Sequence, residues 1–107
     1  MSDEAKQRAT EAAIAGVWLR MRPTVLARFT AVEQALAAAR DGALEEGLRE
    51  QALHEAHKLA GSLGMFGFPE GSDLAKELEK SLRQGLGAAA AARFIERLGD
   101  LKTLLGA

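Results

Sequence analysis

The sequence predicts an all-α fold, an antiparallel up-down four-helix bundle with an additional N-terminal helix, and two observations lead to this prediction. Residues that favour helix dominate, whereas β-branched residues are few and tyrosine is absent. Glycine and proline then divide the chain into five helical segments, because these residues mark helix ends. The dividing points are residues 22–23, 40–42, 67–69 and 84–87.

The first two predicted helices meet at Pro23. The first covers residues 3–21, and we interpret it as an accessory helix packed on the rest of the protein through an apolar stripe of Ile14, Val17, Trp18 and Met21. The second begins at Pro23 and ends near residue 39. Three- and four-residue spacing predicts a core face on the second helix, formed by Leu26, Phe29, Val32 and Leu36.

Three further helices complete the predicted bundle. The third begins at Leu44 and ends between Gly61 and Gly64, the fourth covers residues 69–83, and the fifth covers residues 88–105. The fourth carries leucine at every fourth position, at Leu74, Leu78 and Leu82. Short loops between consecutive helices favour the antiparallel up-down arrangement.

Length and composition indicate one domain over residues 1–107, with the accessory helix in residues 1–21 and the bundle in residues 23–105. A hydrophobic content of 48% and a charged content of 27% argue against disorder. Fourteen basic residues nearly balance fifteen acidic ones, so no overall charge marks nucleic acid or a membrane as the partner. The absence of cysteine excludes disulfides, thiolate metal sites and cysteine nucleophiles.

The N-terminus lacks the basic and then apolar run of a secretory signal. No apolar stretch approaches the roughly 20 residues that span a bilayer. We therefore expect a cytoplasmic protein, and we expect it to be a monomer.

The third predicted helix carries His57 near the middle of its outward face. Each residue advances about 100° around a helix, so the residues opposite His57 can be identified. They are the apolar residues Leu48, Ala52, Ala56, Leu59 and Leu63. A buried structural histidine is therefore the less favoured alternative.

The surface around His57 is unusual, because glycine and alanine stand where a solvated helix normally carries long charged side chains. Its residues are Glu50, Leu53, His54, Ala60, Gly61 and Gly64. Glycine within a helix costs about 1 kcal/mol relative to alanine. We expect the missing side chains to clear a landing area for a partner, with Leu53 offering apolar contact. Two alternatives remain open, namely a helix that ends at Gly61 and close packing of a neighbouring helix.

The run Ala-His-Lys-Leu-Ala-Gly occupies residues 56–61, glycine follows at position 67, and Ala-Lys-Glu-Leu-Glu occupies residues 75–79. These residues closely resemble the signature of the bacterial histidine-containing phosphotransfer (HPt) domain family. In that family, a histidine preceded by alanine is followed by leucine two residues on, glycine four on and glycine ten on. The matching residues here are Leu59, Gly61 and Gly67. The next helix of the family carries an Ala-x-x-Leu-Glu pattern, which is met by Ala75, Leu78 and Glu79.

The resemblance implies a phosphorelay intermediate of two-component signal transduction, with His57 as the phospho-accepting residue. Its implied partner is the receiver domain of a response regulator or of a hybrid histidine kinase, which supplies the aspartate and the divalent metal. We expect no cofactor in this chain and no enzymatic activity, because no kinase or nucleotide-binding motif is present. The expected docking or phosphate-proximal residues are Leu53, His54, Lys58, Ala60, Gly61 and Gly64.

One position departs from the family pattern. Many members have a lysine three residues after the histidine, where this chain has Ala60, and the nearest lysine is Lys58. Helical geometry places Lys58 about a quarter-turn aside, so the role cannot simply be transferred to it. A solvated surface role for Lys58 remains at least equally open.

Metal binding and protein binding without phosphate chemistry are the two alternatives to phosphotransfer. His54 and His57 lie side by side on a helix, but beyond the ordinary surface residue Glu50 no third ligand of similar clarity follows, so we expect no metal site. The other alternative is a non-catalytic helical adaptor that binds a protein through Leu53, Gly61 and Gly64.

Overall fold

The computed structural model describes residues 2–106, and in that range it contains four helices and no strand. Their bounds are Asp3–Arg40 for α1, Glu46–Met65 for α2, Pro69–Gln84 for α3 and Ala88–Leu104 for α4. Short loops join consecutive helices, each helix packs against the next, and α1 also packs against α4. The predicted all-α bundle is confirmed.

The predicted break at Pro23 is wrong, because α1 continues through this proline as one helix of 38 residues. A proline inside a helix lacks the N–H that would bond to the carbonyl four residues earlier, at a cost of about 3 kcal/mol. Pro23 and Leu19, whose carbonyl loses that donor, are both exposed, so solvent can reach the carbonyl. Contacts on both sides of the proline favour a continuous helix, because Trp18 packs on other aromatic rings and Val25 is fully buried.

The additional N-terminal helix is therefore the first half of α1 and not a separate element. Of its apolar stripe, only Trp18 packs substantially on the bundle. The centroid of its ring lies 5.4 Å from the ring centroid of Phe66 and 5.0 Å from that of Phe68. The other three members, which were expected to pack as well, are exposed: Ile14, Val17 and Met21. α1 accordingly makes the molecule elongated, with a longest axis of 57 Å.

The core lies between the four helices and is built from the predicted leucine and phenylalanine positions. Its largest fully buried side chains are Val25, Phe29, Val32, Leu36, Leu59, Leu63, Leu78 and Leu82. Leu26 and Leu48 were expected in this core but are only partly buried at its edge. Gly71 of α3 allows close packing, because an added Cβ would lie 2.9 Å from Leu101 Cδ1 and 3.2 Å from Leu63 Cδ1.

α2 does not end at either of its last glycines but continues to Met65. Its end is followed by a turn in which Gly67 adopts a φ of 83°, a conformation that favours glycine. Gly61 and Gly64 are therefore helical residues, and the alternative that the helix ends at Gly61 is wrong. None of the helices in residues 2–106 is both long and apolar enough to cross a membrane.

Candidate functional site

His57 lies in the interior of α2 with 75% of its side chain exposed. The opposite side of the helix faces the core, where Ala52, Ala56, Leu59 and Leu63 are buried. One edge of the imidazole nevertheless contacts the neighbouring helix α3. The ring is thus accessible from outside while one of its nitrogens is held by the protein.

The contact is a hydrogen bond of 3.0 Å between His57 Nδ1 and Glu79 Oε1. Glu79 belongs to α3, and only 11% of its side chain is exposed. Arg83 Nη2 donates to the same carboxylate oxygen at 2.7 Å. Because this oxygen accepts from Arg83 and a carboxylate oxygen has room for a second donor, we assign the imidazole proton to Nδ1. The lone pair then lies on Nε2, at the far side of the ring.

An open cavity of about 440 Å³ adjoins His57 on the side of the later turns of α2. Its lining residues are His57, Ala60, Gly61, Gly64, Met65, Ser72, Lys76 and Glu79. Apart from the adjoining residues and backbone of α2, a Cβ added at Gly61 would meet no atom within 4 Å in the described part of the chain, whereas one at Gly64 would lie 3.4 Å from Ser72 Oγ. Close packing of a neighbouring helix therefore does not explain Gly61.

Ala60 was predicted to lie on the exposed face around His57, and this prediction is wrong. Its residue surface is only 7% exposed, and its carbonyl accepts a hydrogen bond of 2.7 Å from Ser72 Oγ. The position is rotated by about 60° from His57 around the helix, toward the side that α3 covers. Ala60 consequently forms part of the cavity wall beneath the surface.

A second, smaller cavity of about 190 Å³ lies on the other side of the imidazole. It is lined by Leu53, His54, His57, Glu79 and Arg83. His54 is exposed, whereas Leu53 is partly buried and packs against the core, so it offers less apolar surface than expected. The two histidines therefore share one surface but differ in support, because only His57 is hydrogen-bonded to Glu79.

Lys58 points away from His57. Its Nζ lies 3.4 Å from Glu55 Oε1, and it lines a different cavity, together with Arg28 of α1. Neither of the two cavities beside the imidazole includes it. Within residues 2–106, no three or more histidine, aspartate or glutamate side chains form a group that could hold a metal ion.

Glu79 and Arg83 are the residues that hold the imidazole, and sequence reasoning missed this role for both. Glu79 was noted only as part of a family pattern, although one signal was available. It occurs between the core positions Leu78 and Leu82, one turn after Ala75, so a carboxylate lies at the edge of a buried face. A charged side chain that is nearly buried needs a partner, and that requirement points to the neighbouring helix.

Comparison with known families gives one match, and it covers most of the chain. The family model described as Hpt domain matches residues 17–107. The match begins inside α1, so the exposed start of that helix precedes it. No curated protein and no solved structure matches the chain.

Proposed function

Because the chain belongs to the Hpt domain family, whose members carry phosphoryl groups on histidine in phosphorelays, we propose that it accepts a phosphoryl group on His57. The phosphoryl group is exchanged with an aspartate of a receiver domain. The observation that carries this assignment is the hydrogen bond from His57 Nδ1 to the nearly buried Glu79, which leaves Nε2 free on an exposed face. His54, the other histidine, has no such support.

The transfer step follows from this arrangement. The Nε2 lone pair of His57 attacks the phosphorus of the partner's aspartyl phosphate. The N–P bond forms while the P–O bond to the aspartate breaks, and the electron pair of that bond leaves on the aspartate carboxylate. Nδ1 keeps its proton, so the ring gains positive charge and the adjacent Glu79 carboxylate stabilises it. The reverse step returns the phosphoryl group to an aspartate.

Glu79 and Arg83 act on this step by positioning the imidazole. A hydrogen bond to one ring nitrogen fixes both the tautomer and the orientation of the ring. Arg83 donates to the same carboxylate oxygen, so it limits the movement of Glu79 and balances its charge. The pair therefore directs Nε2 outward without contacting the phosphoryl group.

The open space at Gly61 and Gly64 fits the approach of a partner domain. Phosphoryl transfer depends on positioning and on cations around three phosphoryl oxygens, and an arriving protein needs room to bring its aspartate to Nε2. In this proposal the receiver domain supplies the aspartate and a divalent metal. The chain itself acts as a carrier, and Met65, which is 69% exposed at the rim of the cavity, offers the partner an apolar contact.

The proposal is tested with receiver domains of the same genome that carry a ³²P-labelled aspartyl phosphate. Each is incubated with this chain, and the label on both proteins is followed over time. We expect at least one receiver to lose label to this chain, and the transferred label to be stable in base and lost in acid, as an N–P bond requires. A receiver that binds the chain but transfers nothing would instead support the non-catalytic adaptor.

A further inference from the structure

We propose that Lys76 of α3 binds the phosphoryl oxygens when His57 is phosphorylated, in place of the lysine that Ala60 replaces in α2. This inference rests on the proposed function and assigns a residue that the sequence motif does not contain. Lys76 is exposed and lines the same cavity as His57, Gly61 and Gly64. The register between the antiparallel helices α2 and α3 sets the position of Lys76 relative to His57.

The register of the two antiparallel helices places Lys76 opposite the turn after His57. One cross-link is the hydrogen bond from His57 to Glu79, and another is the hydrogen bond from Ser72 to the Ala60 carbonyl. Three residues forward along α2 lead from His57 to Ala60, and three residues back along α3 lead from Glu79 to Lys76. A cation at Lys76 therefore reaches the cavity at the level where a lysine at position 60 would reach it.

The other basic side chains around His57 are already engaged. Lys58 pairs with Glu55 on the far side of α2, and Arg83 donates to Glu79. Within residues 2–106, the side chain of Lys76 makes no hydrogen bond and no ion pair. Its ammonium group is thus available to a new anion in the cavity.

The chemistry of the cavity suits such an anion. A phosphoryl group on Nε2 adds a compact negative charge beside this cavity, where Ala60 and Gly61 leave room for it. Glu79 supplies the one carboxylate among the described residues that line the cavity, and it already accepts a hydrogen bond from Arg83. A lysine ammonium is a point charge with three donors on a flexible stem, so it can follow a group that arrives and leaves. An opposite charge about 4 Å away in a solvated setting changes a rate or an equilibrium by about fivefold per unit charge.

The experiment uses potassium phosphoramidate as the phosphodonor, so no partner protein contributes cations. The chain carries His54→Gln, which leaves His57 as its single histidine. Uptake is followed by the ³¹P NMR signal of the phosphorylated ring in the parent, Lys76→Met, Lys76→Arg and Lys80→Met. Lys80 is the matched control, because it is an exposed lysine one turn further along α3 that lines neither cavity beside His57.

We expect Lys76→Met to take up the phosphoryl group about fivefold more slowly than the parent. Lys76→Arg should recover most of the rate, and Lys80→Met should match the parent. In addition, the Cε–Hε NMR signal of Lys76, and not that of Lys80, should shift when His57 is phosphorylated. A normal rate in Lys76→Met, or an unmoved Lys76 signal, would overturn the inference alone. Failure of the parent to take up the group on His57 would overturn the proposed function with it.

Discussion

α1 and α2 both continue through residues that disfavour helix, but these residues have different surroundings in the two helices. In α1, Pro23 stands between the packed Trp18 and the buried Val25. In α2, Gly61 and Gly64 follow the exposed His57 and border an open cavity. The helix survives in both places because contacts on either side outweigh the local cost. Only in α2 does the unfavourable residue leave a space that a partner can use.

Among changes that leave both histidines in place, blocking that space is the one from which we expect the largest effect. Gly61→Arg should leave helix content and folding intact, because the added Cβ lies within 4 Å of no atom of the described structure apart from the adjoining residues and backbone of α2. Transfer from a phosphorylated receiver should slow on the order of 100-fold, because the side chain keeps the reacting groups apart. The matched control is Gly47→Arg, an exposed glycine of α2 with equally open surroundings, about 15 Å along the helix from His57. Equal rates for Gly61→Arg and the parent would contradict the landing-area interpretation.

Replacing Pro23 in α1 should change the stability of the protein and leave phosphoryl transfer unchanged. Pro23→Ala restores a backbone donor to an exposed helix position, so the free energy of unfolding should rise by about 2 kcal/mol. Urea denaturation measures this change, and Thr24→Ala, at the exposed neighbouring position, should change it by less than about 0.7 kcal/mol. Lower stability in Pro23→Ala would show that the proline has a structural role that its surroundings do not reveal.

A second difference between the two sites is that His57 is hydrogen-bonded to Glu79 of α3, whereas Pro23 has no such partner on a neighbouring helix in the described residues. Glu79→Ala should slow phosphoryl uptake by about tenfold, since the ring loses the partner that fixes its tautomer and orientation. Glu77→Ala is the control, because Glu77 lies on the same helix but pairs with Arg97 of α4. Rates are compared with phosphoramidate as donor, and thermal melts check folding. If Glu79→Ala and Glu77→Ala react equally fast, the positioning role of Glu79 is wrong.

The smallest effect is expected at Lys58. Its ammonium pairs with Glu55 on the far side of α2, so Lys58→Ala should slow transfer from a receiver by no more than about twofold. Stopped-flow or rapid-quench measurements of label transfer can resolve this difference. A loss of several orders of magnitude would show that Lys58 turns toward the phosphoryl group in the complex.

The sequence was sufficient for features that depend on one helix at a time. The 3.6-residue repeat identified the core face of α2 and the exposure of His57, and the Pro69 start signal identified the beginning of α3. Features that depend on two elements were missed. The continuity through Pro23 depends on what Trp18 and Val25 contact, and the burial of Ala60 depends on where α3 packs. Local propensity contains no information about either contact.

The role of Glu79 illustrates the same limit within the site. The pattern of α3 gave its position, but its distance from His57 depends on the register between α2 and α3. That register is set by packing, including the approach of Leu63 and Leu101 to Gly71. A glycine within a predicted helix could indicate such an approach, yet the sequence does not say which residues approach it.

The central claim, that His57 and not His54 accepts the phosphoryl group, is tested most directly by substituting each histidine with glutamine. Glutamine keeps a polar side chain without a nucleophilic ring nitrogen, and both positions are exposed. His54→Gln should stay within about 0.5 kcal/mol of the parent in stability, whereas His57→Gln, which gives up the hydrogen bond of the ring to Glu79, should stay within about 2 kcal/mol. Label transfer from a phosphorylated receiver is then measured beside thermal melts. We predict that His57→Gln folds and takes up no label, whereas His54→Gln is labelled. Labelling of His57→Gln with loss in His54→Gln would move the site, and labelling of both variants would contradict the histidine mechanism.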